Sequence, residues 1–160
     1  MVRFLLLGLI FLLSACASSH KVIGPQDELA LQEMQTREFE APFKMTYASV
    51  LSVLQDVGYI VENADGDSGL ITAKSPTDSG TSYSLLWGFG KKNKTTRVTA
   101  FVEPIGTKIS KVRFNFVNIV ADSNIYGATS QVDRPVEDPS VYSNVFEKVE
   151  ETIFIKASMQ

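Results

Sequence analysis

Cysteine and histidine, which serve as nucleophiles, general bases and zinc ligands, occur once each in this chain of 160 residues, and tryptophan also occurs once. A single cysteine excludes an internal disulfide bond. One cysteine and one histidine are also too few ligands for an ordinary zinc site. The histidine, His20, lies in a polar N-terminal stretch, so we expect no Ser-His-Asp or Cys-His arrangement in the domain that follows. These absences favour a protein that is not an enzyme and needs no metal or cofactor.

Long runs of one charge sign are also missing. The formal net charge is −3 and the lysines form no basic stripe, which argues against a nucleic-acid partner. The longest apolar run covers residues 4–13, interrupted by Gly8 and preceded by Arg3. Ten helical residues measure about 15 Å, roughly half of the hydrocarbon core of a bilayer. We therefore predict a cleaved signal peptide at residues 1–15.

The only cysteine follows this predicted signal peptide directly. The segment Leu13-Ser14-Ala15-Cys16 resembles the lipobox of bacterial lipoproteins. The resemblance implies that Cys16 carries palmitate-type acyl chains and becomes the mature N-terminus; the alternative is an ordinary residue after a standard cleavage site. Each buried methylene contributes about 0.8 kcal/mol, so several chains hold a protein on a bilayer. Ala17 and Ser18 follow without an aspartate, which by the sorting preference of such lipoproteins implies the outer membrane, with the domain facing the periplasm.

The remaining chain is predicted to contain a lipidated tether at residues 16–36 and a single domain at residues 37–160. In the domain, β-branched and aromatic residues alternate in short runs, and two longer stretches repeat apolar residues at helical spacing. Thr46 is expected to cap the first helix, Gly58 to end it, and Asp138-Pro139 to begin the second. The predicted order is β-α-β-β-β-β-α, an α+β fold with an antiparallel sheet of four to five strands and two helices on one face.

Two segments carry a resemblance to a known family. The segment "FEAPFKMTYASVLSVLQDVGYIVENADGDSGLITAK" is similar to the start of the helix-grip domain of BamC, a subunit of the β-barrel assembly machinery. The segment "DPSVYSNVFEKVEETIF" is similar to the closing helix of small proteobacterial outer-membrane lipoproteins. The resemblance covers residues 37–155 and implies one helix-grip domain on a lipoprotein of the cell envelope.

The segment "SLLWGFGKKNK" is the main candidate interaction site. Alternation in its first half predicts a strand that leads into a hairpin with its tip at residues 88–93. In one interpretation Leu85 and Trp87 pack under the helices. In the other, the segment contacts a partner protein or a membrane interface through apolar side chains rimmed by lysines. The residues assigned to this interface are Leu86, Trp87, Phe89, Lys91, Lys92 and Lys94.

Two further hypotheses concern ligands. Aromatic residues on the later strands and the last helix are compatible with a carrier, in which a cavity between sheet and C-terminal helix holds an acyl or other amphiphilic ligand. The loop Asp65-Gly66-Asp67-Ser68-Gly69 begins like a calcium loop but continues into an apolar strand, so a β-turn is the favoured interpretation. The function that the sequence favours is a membrane-anchored, non-enzymatic lipoprotein that binds another envelope protein.

Overall fold

The computed structural model describes residues 25–84, 88–123 and 129–159. Within these ranges the chain forms three helices and one antiparallel sheet of seven strands. The helices are α1 (Pro25–Met34), α2 (Phe43–Asp56) and α3 (Pro139–Ser158). The strands are β1 (Thr36–Phe39), β2 (Ile60–Asp65), β3 (Leu70–Lys74), β4 (Asp78–Ser84), β5 (Gly88–Ile105), β6 (Ile109–Ser123) and β7 (Thr129–Pro135).

The two long strands β5 and β6 organise the whole sheet. The main order is β1-β6-β5-β3-β2, while β4 pairs with β5 and β7 pairs with β6. Because β3 and β4 share one side of β5, and β1 and β7 share one side of β6, the sheet has two halves joined end to end. The predicted α+β class is confirmed, but the sheet has more strands than the predicted four to five, because β7 is polar and gave no strand signal.

One half of the sheet holds the core, and we call it the helix-covered half; it comprises β1, β2, β3 and residues 96–116 of the central hairpin. Its inner face is fully buried at alternate positions, including Val98, Ala100, Phe114 and Phe116. Helix α2 contacts β5 and β6 and packs against α3, which confirms the two helices on one face. The opposite face is wet, with Phe101 at 43% exposure and a Lys111–Glu103 ion pair at 2.7 Å. This alternation is the ordinary pattern of an antiparallel sheet with one solvated face.

The other half is the sheet extension, formed by β4, β7, residues 88–95 of β5 and residues 117–123 of β6. Side chains described there are half-buried, as at Val117 and Ile119, or exposed, as at Val132 with 47% exposure. In the extension, β5 and β6 thus remain paired beyond the positions that are buried in the core. Its strands are joined by backbone pairing of β4 with β5, β5 with β6 and β6 with β7.

Helix α2 begins earlier than the sequence indicated. It starts at Phe43 after Pro42, so the prediction of Thr46 as its N-cap is wrong. Thr46 lies inside the helix, fully buried, with its hydroxyl 3.4 Å from the carbonyl oxygen of Ala41. The N-cap is Pro42, in an extended conformation and without a side-chain capping hydrogen bond. The predicted stop is confirmed, since Gly58 follows the helix with φ of +89°.

Helix α3 begins as predicted. The carboxylate of Asp138 accepts hydrogen bonds from the Ser140 backbone N–H at 2.9 Å and from its hydroxyl at 2.7 Å, and Pro139 takes the first helical position. These bonds hold the pKa of Asp138 below its ordinary value, the hydroxyl bond having the larger effect. The apolar spacing is also confirmed, because the residues facing the core are Tyr142, Val145, Phe146 and Val149.

Residues assigned to the tether contribute to the ordered fold. Helix α1 contacts β1 and α3, and Thr36 already pairs with Arg113. Gln35 is 8% exposed and donates a 3.4 Å hydrogen bond to the Tyr142 hydroxyl, which in turn donates to the Val136 carbonyl oxygen at 2.8 Å. The chain before β1 is therefore attached to the closing helix.

Candidate functional site

The predicted interface lies on the hairpin formed by β4 and β5. Residues Leu86 and Trp87 lie outside the described residues, while Phe89, Lys91 and Lys92 are strand positions of β5. The predicted hairpin tip at residues 88–93 is wrong, since Gly88 pairs with Ser84 and the ladder continues without interruption to Lys94 opposite Asp78. The glycines suggested a turn in the sequence, but here they belong to a strand at the rim of the sheet.

The distance of this hairpin end from the core follows from the register. Gly88 precedes Val98 by ten positions, and Val98 is the first fully buried residue among those of β5 whose burial the structure describes. A strand rises about 3.3 Å per residue, so the Ser84–Gly88 pair lies roughly 30 Å along the sheet from Val98. Helix α2 packs beside Val98 and its buried neighbours, and a side chain spans far less than this distance. Leu85 and Trp87, which one interpretation packs under the helices, lie outside the described residues.

The lysines of the candidate interface stand at register positions next to acidic residues. Lys92 pairs with Asp122 on β6, and Lys94 pairs with Asp78 on β4. Opposite charges at directly paired positions stabilise neighbouring strands by a few tenths of a kcal/mol to about 1 kcal/mol. Lys91 differs, because its partners are Thr81 and Ser123. The register thus places an acidic residue opposite two of the three lysines of the candidate interface.

The loop between β2 and β3 uses its acidic group to build a turn. The carboxylate of Asp65 accepts hydrogen bonds from the Ser68 hydroxyl at 2.7 Å and from the Asp67 N–H at 3.0 Å. These bonds, that of the Ser68 hydroxyl first, hold the pKa of Asp65 below its ordinary value. Within the described residues no group of three or more potential metal ligands is found. The favoured β-turn interpretation agrees with this geometry.

Glycine ends that turn at a position where the chain has no space for a side chain. Gly69 has φ of +78°, and a Cβ built on it would lie 2.1 Å from the carbonyl oxygen of Val102. The Val102 N–H donates to the Gly69 carbonyl oxygen at 2.9 Å. The close approach locks the β2–β3 turn against the central strand.

The aromatic residues behind the carrier hypothesis have two different locations. Phe114, Phe116, Tyr142 and Phe146 are buried and in mutual contact, with ring centroids 5.3 to 5.7 Å apart in adjacent pairs. Phe101 points to the opposite face of the sheet and is 43% exposed. The four buried aromatic residues are explained by packing in the core. Phe101 faces solvent and does not contribute to that cluster.

A small cavity nevertheless opens between α2, α3 and the sheet. Its volume is about 250 Å³, and its walls are apolar except near Asn144 and Lys148. Sequence reasoning missed these lining residues, although Val57 and Tyr59 flank the glycine that ends α2. The apolar walls are formed by Leu54, Val57, Tyr59, Phe116, Val141 and Val145.

A second, more open groove of about 470 Å³ lies between the start of α2 and the end of α3. Lys156 crosses it and donates hydrogen bonds to the Ala48 carbonyl oxygen at 2.9 Å and the Ser52 hydroxyl at 3.1 Å. Near this end of α3, Phe154 and Met159 are 75% and 79% exposed. Lys156 thus fastens the last turn of α3 to α2, and apolar side chains remain at the surface.

The predicted lipidation residue Cys16 lies outside the described residues. Among the helices of the described residues, none combines the length and hydropathy required to cross a bilayer. The chain matches no family model and no curated protein.

Proposed function

We propose that this chain is a lipid-anchored, non-enzymatic interaction module of the bacterial cell envelope. It is attached to the outer membrane through acylated Cys16 and faces the periplasm, where the β4–β5 hairpin binds another envelope protein. The sequence supports the anchor, because a short apolar run ends at Leu13-Ser14-Ala15-Cys16. The resemblance to helix-grip lipoproteins supports the same assignment at the level of the domain.

The observation that carries the binding role is the distance of the hairpin end from the core. The Ser84–Gly88 pair lies roughly 30 Å along the strands from Val98, which supports a role for this end of the hairpin outside the helix-covered core. Leu86, Trp87 and Phe89 then serve a partner instead of the core. Tryptophan is enriched among the residues that dominate binding energy at interfaces. Since Lys92 and Lys94 face acidic partners in the register, we expect the apolar residues and Lys91 to contribute most of the affinity.

The anchor is tested by labelling cells with radioactive palmitate. Wild-type chain is expected to incorporate label and to sediment with the outer membrane, whereas Cys16→Ser loses both properties after export. A Ser14→Cys, Cys16→Ser double variant is a matched control, because it keeps one cysteine but moves it out of the lipobox position. Equal membrane retention of wild type and Cys16→Ser would contradict the anchor.

The binding role is tested by crosslinking in the native envelope, followed by identification of the captured protein. Trp87→Ala is expected to weaken capture by about 2 kcal/mol, roughly 30-fold in affinity. Phe101→Ala is the matched control, since it removes an exposed aromatic ring from the wet face of the helix-covered half. Both variants should melt near the wild-type temperature. Normal capture by Trp87→Ala would refute the hairpin assignment.

The cavity favours a second candidate function, that of a carrier for an acyl or other amphiphilic ligand. Its walls are mainly apolar, while Asn144 and Lys148 supply polar groups for a ligand head group. Its volume of about 250 Å³ is slightly below the range typical of small-molecule sites, so it fits part of one chain and not a whole diacyl lipid.

Native mass spectrometry separates the carrier from the interaction module. A carrier purified from the envelope should bring a bound amphiphile, and Asn144→Trp should remove that mass by filling the cavity. Glu147→Trp is the control, because Glu147 is exposed and does not line the cavity. A chain without a bound small molecule would rule out the carrier and leave the interaction module.

A further inference from the structure

The edges of the sheet are protected unequally. An unpaired strand edge attracts other strands, and natural proteins protect it with short length, bulges, proline or charge. β1 has only four residues, and β2 has a register shift between Val61 and Asn63 with charged Glu62 at the shift. β4 has seven residues in continuous register, no proline, and one charged residue at its first position, Asp78.

The fourth edge, that of β7, is protected by proline. The Val136 N–H donates to the Phe116 carbonyl oxygen, so even-numbered residues of β6 direct their backbone groups toward β7. Val117 is odd-numbered and pairs with Pro135, so its backbone groups point away from β7. Pro135 therefore occupies a position whose backbone faces outward, where its missing N–H denies a donor to an incoming strand. Asp133 and Arg134 add charge to the same edge.

The outward-facing backbone groups of β4 can be identified in the same way. On β5, the Val102 N–H donates to Gly69 and the Thr96 N–H donates to Ser75, so even-numbered residues face β3 and β4. Lys92 and Gly90 pair with Gly80 and Ser82, which use their backbone groups on β5. The alternate residues Ser79, Thr81 and Tyr83 direct their N–H and C=O groups to the open edge. In the part of the chain that the structure describes, no strand covers that edge.

We propose that β4 pairs with β4 of a second copy of this chain, antiparallel and about a two-fold axis at Thr81, so that one continuous sheet crosses the dimer. The pairing sets Thr81 opposite Thr81 of the second copy and Ser79 opposite Tyr83. A two-fold axis is the commonest symmetry of protein dimers and needs a self-complementary surface. The inference does not depend on lipidation of Cys16.

The absence of charge on residues 79–84 allows a second copy to occupy this edge. Residues 79–84 are uncharged, so the two strands meet without like charges opposed. On the neighbouring strands, Lys92 stands opposite Asp122 and Lys94 opposite Asp78, so Lys91, opposite Thr81 and Ser123, is the lysine of this stretch without an acidic residue at a paired position. A charged partner strand would find no opposite charge on residues 79–84 of β4 itself.

The test uses disulfide trapping in the full chain, purified in detergent, with Cys16→Ser removing the only native thiol. Thr81→Cys is the reporter, because hydrogen-bonded antiparallel partners have Cα atoms about 5.5 Å apart, within the range of a disulfide. Gln131→Cys is the matched control, since Gln131 lies on the proline-protected β7 edge at an outward-facing position. Mild oxidation is expected to trap about tenfold more dimer with Thr81→Cys than with the control.

A second variant checks that the backbone makes the contact. Thr81→Pro removes an outward N–H without removing a bond between β4 and β5, so it should abolish the dimer seen by light scattering while the melting temperature stays near that of the wild type. Equal trapping at residues 81 and 131 would overturn the proposal. So would a dimer that survives Thr81→Pro, or trapping of Thr81→Cys in envelopes to a different protein instead of a second copy.

Discussion

The helix-covered half and the sheet extension share the strands β5 and β6 but differ in what holds them. In the covered half, alternate residues such as Val98, Phe114 and Phe116 are buried by two helices. In the extension the same strands continue with backbone pairing to β4 and β7, and Val132 is 47% exposed. Strands β5 and β6 thus carry the buried core residues at one end and continue into exposed positions of the sheet at the other.

The largest expected difference between the halves comes from removing one side chain in each. Phe114 is fully buried and contacts Phe116 and Phe146, so Phe114→Ala should lower the free energy of unfolding by about 3–5 kcal/mol. Val132→Ala in the extension should change it by less than about 0.5 kcal/mol. Urea unfolding measures both. A comparable loss from Val132→Ala would mean that the extension belongs to the core.

A second test concerns the turn that fastens the covered half. Gly69→Ala combines a positive φ with a Cβ that meets the Val102 carbonyl oxygen, and should cost about 3 kcal/mol or more. Gly106 also has a positive φ, but a Cβ there meets nothing within 4 Å, so Gly106→Ala should cost only about 1–2 kcal/mol. The difference between the two losses in unfolding free energy measures the clash between a Cβ at residue 69 and the Val102 carbonyl oxygen. Equal losses would show that backbone strain alone matters.

Two fully buried serines give a smaller and more specific contrast within the covered half. The Ser110 hydroxyl donates to the Ala41 carbonyl oxygen at 2.8 Å, so Ser110→Ala leaves that oxygen with only the longer 3.4 Å bond from the Thr46 hydroxyl and should cost about 1 kcal/mol. Among the described residues, the Ser49 hydroxyl has no hydrogen-bond partner, and Ser49→Ala should be neutral or stabilising. Thermal and urea unfolding compare the two. A larger loss from Ser49→Ala would reverse the interpretation.

The smallest effect is expected at the exposed cap of α3. The folded pKa of Asp138 is held below its ordinary value of 3.8, so its stabilising contribution is present above that pH and is lost as pH falls through the folded pKa. Asp138→Ala should therefore lower the melting temperature at neutral pH, with a deficit that shrinks in acid. Asp138→Asn keeps a capping oxygen that does not titrate, so its deficit should be smaller than that of Asp138→Ala at neutral pH and should also shrink in acid. A deficit that is constant with pH would contradict the capping role.

The covered half could be largely predicted from sequence, because burial on one face imposes a pattern. Val98, Ala100 and Val102 alternate with wetter residues, and Tyr142, Val145 and Val149 recur at helical spacing, so both elements were recognised. The start of α2 was missed because Thr46 has the residue type of a cap but packs inward. Its buried hydroxyl satisfies backbone carbonyls instead.

The extension was predicted poorly for the opposite reason. β7 has the polar sequence TSQVDRP and shows no apolar alternation, since neither face is deeply buried. The glycines at residues 88 and 90 suggested a turn, yet they pair with Ser84 and Ser82 in a strand. The edge of β4 could be recognised only once the register was known, because outward-facing backbone groups leave no trace in the sequence.

The most direct test of a hairpin that projects beyond the core is the fluorescence of Trp87, the only tryptophan of the chain. The native protein without a partner is predicted to emit at long wavelength, and acrylamide should quench this emission nearly as well as in urea. Phe114→Ala, measured under conditions where it stays folded, should leave this emission unchanged. A short-wavelength, shielded emission in the native state that shifts on Phe114→Ala would place Trp87 in the core and contradict the account.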